Sequence, residues 1–163
     1  VGLSVIQIHG DETAEQVAEI HRLCPDTPVI RAFRVDPQNL ERTLDDVDRL
    51  TGIVPLAAAL LDAFVPGAFG GTGVTVDPVI LQQYAMRQRP RLILSGGLNP
   101  DNVASLADHA AVWGIDTASG VESSAGIKDA ARVCKFVNAA RALETVTGGS
   151  PHGVRIGISP PVR

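Results

Sequence analysis

Four residues of this 163-residue chain combine a reactive type with a setting that could use it: Gln7, His9, Asp62 and Asp116. Asp62 ends the apolar run AAALL, which puts it at the C-terminal end of a strand. A carboxyl group there, partly screened from water, could act as a general acid; it could equally cap the next loop. Gln7 and His9 share one parity on a short strand whose Ile6 and Ile8 point the other way. They either line a ligand cavity or satisfy each other and the backbone. Asp116, between Ile115 and Thr117, is a second carboxylate for the same cavity or a structural acid paired with a backbone donor. Arg31 and Arg34 have opposite parity, so at most one of them faces that cavity.

Two glycine-bearing segments supply a different chemistry. In SGGLNPDN, Gly96 and Gly97 let the backbone approach a ligand, and a helix starting near Pro100 can aim its first N–H groups at a phosphate. In ASGVE, Ser119 and Gly120 repeat the pattern one strand later, so that both loops together could hold one dianion. A third segment, FGGTGVTVD at 69–77, has the glycines of a lid or of a plain turn and lacks the lysine of a P-loop. His21, His109 and His152 show no metal-ligand spacing, so a metal site is not supported. Cys24 and Cys134 have no redox spacing and read as small hydrophobes.

The elements that must position these residues alternate. Strands are expected at 4–8, 28–34, 57–61, 91–95 and 112–118, with helices at 12–23, 37–50, 78–87, 100–109 and 127–143. Asp11 is a plausible N-cap of the first helix, whose apolar residues are Ala14, Val17, Ile20 and Cys24. The last helix carries a stripe of Ile127, Ala130, Ala131, Cys134 and Val137. Strict alternation implies an α/β fold with a parallel sheet. Strand number alone favours an open doubly wound sheet, but consecutive phosphate-type loops at two strand ends favour an incomplete (β/α)8 TIM barrel holding strands four to eight. Residues 1–144 then form the partial barrel, and 145–163, rich in Gly, Pro and Ser, a flexible tail without assigned function.

A net charge of −4 without basic runs, and an aromatic content of 4%, argue against a nucleic-acid surface. The apolar stretch GIVPLAAALLDAF contains a proline and an aspartate and is well short of the ~20 residues of a membrane span. VGLSVIQIHG carries no recognisable secretory signal, so the cytoplasm is the expected compartment.

Taken together, VIQIHG, VIRAFRV, ALLDAF, GGTGVTVD, LSGGLNPDNV and GIDTASGVESSAGIKD stand in an order and spacing that resembles the phosphoribosylanthranilate isomerase family, from Val5 through Lys128 and into the last helix. The resemblance implies an Amadori rearrangement of an aminoaldose phosphate to an aminoketose phosphate in tryptophan biosynthesis, without metal or cofactor. It implies Asp62 as the acid that opens the furanose ring, Asp116 near the anthranilate nitrogen, Gln7 and His9 lining the cavity, and Gly96, Gly97, Ser119 and Gly120 around the phosphate. The chain departs from the family in three places. A KICG-type strand with the general-base cysteine is absent, Ala118 stands where the family has serine, and Val76 and Pro78 replace aromatics. The chain is therefore expected to be a C-terminal portion that does not complete the reaction alone. Its unpaired sheet edges invite a complementing barrel fragment or a second copy. The rival readings are another phosphosugar barrel enzyme, an epimerase or synthase, and a non-catalytic barrel fragment.

Overall fold

A computed structural model describes residues 2–35, 38–63, 78–108, 112–146 and 155–158. Five strands succeed one another across a sheet in chain order: β1 (Ile6–Ile8), β2 (Val29–Val35), β3 (Ala58–Ala63), β4 (Arg91–Ser95) and β5 (Val112–Thr117), each parallel to the next. Unbroken sequential order is that of a barrel wall, since a doubly wound sheet reverses its order at a switch point. The barrel alternative weighed from the sequence is therefore the one the topology supports.

The connections are α1 (Ala14–Leu23), α2 (Leu40–Thr51), α3 (Pro78–Ala85) and, between β4 and β5, a 3-10 helix (Val103–Asp108). After β5 come a small antiparallel hairpin of β6 (Glu122–Ser124) and β7 (Ile127–Lys128), then α4 (Ala130–Val146) and β8 (Arg155–Ile158). The segment FGGTGVTVD lies outside the described residues.

β3 is the centre of the molecule, and Ala58 through Leu61 are each no more than 1% exposed. A parallel strand covered on both faces requires this uninterrupted apolar run. On one face Leu61, Leu92, Leu94 and Ile115 pack with Leu44 and Val47 of α2, Leu81 of α3 and Phe136 of α4. On the other, Ala32, Ala58, Leu60 and Ile93 form a smaller cluster joined by Ile30 and Trp113.

Three local expectations are corrected. The N-cap of α1 is Thr13, not Asp11: its hydroxyl accepts from the Gln16 amide (3.3 Å) and Gln16 Oε1 accepts from the Thr13 amide (2.8 Å), a reciprocal box that Asp11 lies too early to make. The buried face of α4 is Val133, Phe136 and Ala140. Ile127 instead sits in β7 and is exposed, as are Ala130, Ala131 and Cys134. The helix starts only at Ala130, and the large Phe136 ring sets its phase. Cys24 is exposed too, so neither thiol serves as a core hydrophobe.

The stretch expected to be an aperiodic tail contributes the last two residues of α4 and all of β8, which lies parallel against β5. Four residues are too few for a periodic signal, but the open edge of β5 offers them hydrogen bonds. The helix expected at 100–109 is shortened to a 3-10 turn. Asn99 Oδ1 accepts from the amides of Asp101 (2.8 Å) and Asn102 (3.1 Å), and Asn102 Oδ1 accepts from the Asn99 amide (2.8 Å), a local arrangement that competes with a regular helix start.

Candidate active site

Because the strands are parallel, their C-terminal ends share one edge of the sheet, the rim where barrel enzymes keep their chemistry. Asp62 stands on this rim, in register with Arg34 on one side and Ser95 on the other. His9, just past the end of β1, reaches across β2 and places Nε2 at 3.4 Å from Asp62 Oδ2. Two strand spacings, about 10 Å of backbone, separate them. His9 is 39% and Asp62 29% exposed, so a ligand can reach both.

The second carboxylate is deeper. Asp116 is 8% exposed, and Oδ2 accepts from the Ser95 hydroxyl at 3.3 Å. Ser95 is thus both the strand neighbour of Asp62 and the hydrogen-bond donor to Asp116, and stands between the two acids on the sheet. In the sequence it is the last letter of the apolar run RLILS. Its signal was parity: Ile93 and Ser95 share a face, and a polar residue there needs a partner.

Register also resolves the arginine pair. Arg34 lies on the face of Asp62, whereas Arg31 lies on the opposite face and is buried. Arg31 donates to Glu12 Oε2 (2.6 Å) and to the carbonyls of Gly10 (3.0 Å) and Glu12 (3.1 Å), holding the loop just after His9. The Glu12 carboxyl is held below its usual range by its own main chain and then by Arg31. Gln7 stays exposed on β1, in register with Ile30 on the Asp62 face, two residues further from the rim than His9.

The two glycine loops meet. Gly96 and Gly97 have φ of 90° and 64°, left-handed values that carry the chain sharply away from β4. The turn is fixed by Asn102 Nδ2, which donates to the Gly97 carbonyl at 2.9 Å. From the next strand the Thr117 hydroxyl donates to the Leu98 carbonyl at 2.7 Å. At Gly120 an added Cβ would fall 1.8 Å from that same carbonyl oxygen, so only glycine permits the approach. The amides of Asp101 and Asn102, expected to be free for a phosphate, are engaged by Asn99. The meeting point of the loops is therefore Gly96–Leu98 against Thr117–Gly120.

Lys128 completes this corner from β7, donating from Nζ to the Ala118 carbonyl (2.7 Å) and to Glu122 Oε1 (2.8 Å). The ammonium group, and after it the Gly126 amide, keeps the Glu122 carboxyl below its usual range. The sequence showed Lys128 only as the end of a motif, with no role for it.

A cavity of about 250 Å³ lies at the other end of the sheet, lined by Tyr84, Arg87, Arg89, Arg91 and Trp113, where β4 and β5 begin. The Arg89 guanidinium lies over Tyr84 and is held bidentately by Asp48, with Nε–Oδ1 2.7 Å and Nη2–Oδ2 2.9 Å. This end holds elements together and is remote from the two rim acids.

Parallel βα units in sequential order, with acids and paired glycine loops on the C-terminal rim, place the chain in the (β/α)8-barrel class. The profile of N-(5'-phosphoribosyl)anthranilate (PRA) isomerase matches residues 1–139. The chain belongs to that family. It is 41% identical over 145 residues to the N-(5'-phosphoribosyl)anthranilate isomerase of Thiobacillus denitrificans, covering 87% of this chain and 63% of that protein. The Thermotoga maritima phosphoribosyl anthranilate isomerase structure superposes with a TM-score of 0.67 at 31% identity, over 86% of this chain and 62% of that one. A further structure of the enzyme, solved in complex with reduced 1-(o-carboxyphenylamino)-1-deoxyribulose 5-phosphate, gives a TM-score of 0.63 at 30% identity, over 86% and 60%. The chain thus spans a little under two thirds of the length of these relatives.

Proposed function

We propose that this chain carries the ring-opening acid and the phosphate corner of a phosphoribosylanthranilate isomerase, a cytoplasmic enzyme that takes a phosphorylated aminoaldose to its aminoketose. The observation that carries this reading is the pairing of Asp62 with His9 on the rim where the Gly97 and Gly120 loops converge.

In the reaction Asp62 donates a proton to the furanose ring oxygen, and the sugar opens to a Schiff base. Loss of the C2 proton gives an enolamine that tautomerises to the product. His9, in contact with the Asp62 carboxyl, orients it. Asp116, fixed by Ser95, accepts a hydrogen bond from the anthranilate amine. Gln7 lines the approach, and the backbone at Gly96, Gly97, Ser119 and Gly120 receives the phosphate. Local backbone dipoles suit a dianion in a chain of net negative charge.

The base is the part these residues do not supply. Cys24 lies at a helix end and Cys134 within a helix, and both are exposed on the outer surface of the fold. Turnover requires a strand that brings the base, whether from the same polypeptide or from a complementing barrel fragment. Two exposed free thiols suit a reducing compartment.

Isothermal titration with the reduced carboxyphenylamino-deoxyribulose phosphate tests the reading. Saturable binding that is lost on Asp116→Ala and not matched by ribulose 5-phosphate supports it. Equal affinity for the simple pentose phosphate would instead favour an epimerase-type barrel.

A further inference from the structure

Lys128 is the charged side chain at the phosphate corner that the ring-opening scheme leaves without a task. It stands in β7, the second strand of a hairpin that begins directly after the Ser119–Gly120 turn. Glu122 ties it there: one carboxylate oxygen accepts from Lys128 Nζ at 2.8 Å and the other from the Gly126 amide at 3.0 Å. The base of the hairpin is closed by the Asp129 amide, which donates to the Val121 carbonyl at 2.8 Å. A lysine needed only to hold this hairpin would stop at Glu122. Nζ goes on to the Ala118 carbonyl at 2.7 Å, ten positions back in the chain.

That carbonyl belongs to the peptide group whose N–H is that of Ser119. In a planar trans peptide the C=O and the N–H point in opposite directions, and among the described residues no peptide bond is cis. An ammonium fixed on the oxygen therefore sets the plane of the Ala118–Ser119 peptide and sends the Ser119 N–H to the side away from Lys128. It also draws electron density toward the oxygen, which makes that N–H a stronger donor, because linked hydrogen bonds polarise one another. Among the described residues no group accepts from the Ser119 amide. We propose that Lys128 is a positioning residue for the phosphate of the substrate: through the Ala118 carbonyl it aims and strengthens the Ser119 amide that receives the dianion. The device is local to residues 118–129, and Lys128 acts without touching the ligand. The inference rests on the reading of the Ser119–Gly120 turn as a phosphate contact.

Isothermal titration of the full chain compares the reduced product analogue with the same molecule lacking its phosphate. Lys128→Met removes the ammonium and keeps the apolar stem. Lys128→Met/Glu122→Gln also removes the carboxylate that the single change leaves unpaired, and it decides if the single variant does not fold. The expected result is affinity for the phosphorylated analogue about ten-fold weaker with affinity for the dephosphorylated one unchanged. Lys128→Arg, which can still donate to the Ala118 carbonyl, should recover most of that loss. A lysine that merely braces the hairpin would lower Tm and weaken both ligands alike, or neither, and either pattern overturns the proposal. If the parent binds ribulose 5-phosphate as tightly as the analogue, the isomerase reading fails, and Lys128 is judged by the same ten-fold loss on the pentose phosphate. A parent that binds no phosphorylated ligand overturns both.

Discussion

At the scale of single residues, the rim assigns separate tasks to its two carboxylates. Asp62 is accessible and touches an imidazole, while Asp116 is buried against a hydroxyl. The first environment suits proton donation and the second suits a fixed acceptor. In a chain complemented with the base strand, Asp62→Asn is expected to lower kcat by about 10² with little change in KM. Turnover close to that of the parent would remove Asp62 from the acid's role. Gly120→Val has a different signature. Its side chain would collide with the Leu98 carbonyl, separate the glycine loops and cost about 1–3 kcal/mol, as overpacking does. Thermal melts should show the loss, and titration should show weakened affinity for the phosphorylated analogue in particular. A variant with parent-like melting and affinity would mean that the loops need not meet.

At the scale of elements, packing and charge each give a prediction. Phe136 is fully buried beneath α4 whereas Cys134 is exposed, so Phe136→Ala should cost about 3–5 kcal/mol and Cys134→Ala almost nothing. Equal losses in urea titrations would restore the helix phase read from the sequence. The link between α2 and the start of β4 is electrostatic. Arg89, with its side chain 3% exposed, is held by Asp48, whose carboxyl the Arg89 hydrogen bonds keep below its usual range. A carboxyl lowered in the folded state adds stability in full above its unfolded value, about pH 4, and that stability disappears as pH falls through the lower folded value. Asp48→Asn should therefore cost about 2 kcal/mol at neutral pH, less than a wholly buried pair because the Asp48 carboxyl is partly exposed. The difference in Tm between the variant and the parent should close below pH 4. A gap independent of pH would contradict the ion pair.

Much of this architecture is legible in the amino-acid sequence, for identifiable reasons. The strand positions are, because buried parallel strands are continuous apolar runs between turn residues. The rim position of Asp62 and the kinship of the two glycine loops are readable from the turn residues at the end of each strand. The phase of α4 is not, because its small alanines fit either face and only the burial of Phe136 and Ala140 in the core separates them. The choice between Arg31 and Arg34 requires register, which no local pattern encodes. Ser95 and Lys128 act through partners twenty-one and ten positions away in sequence, a relation visible only once the chain is folded.

At the scale of the whole molecule, among the described residues the sheet runs from β1 to β8, and β1 pairs with β2 alone. Leu3 and Val5, beside that edge, are exposed apolar residues. Such an edge invites pairing with another chain. Sedimentation velocity should show association that grows with concentration, and Leu3→Lys/Val5→Lys should shift the chain toward monomer. A parent that stays monomeric at high concentration would show the edge to be guarded.

The arginine and tyrosine cluster where β4 begins has a consequence for how such a chain ages. It braces the scaffold at the end remote from the rim, so the two ends answer to different selective pressures. In a gene copy released from the duty of turnover, His9 and Asp62 can drift while the scaffold persists, whereas loss of Asp48 or Arg89 harms the molecule in any role. A mutational library screened for abundance alone should therefore erode the rim and preserve the opposite end, and the same library screened for retention of the phosphorylated analogue should preserve both.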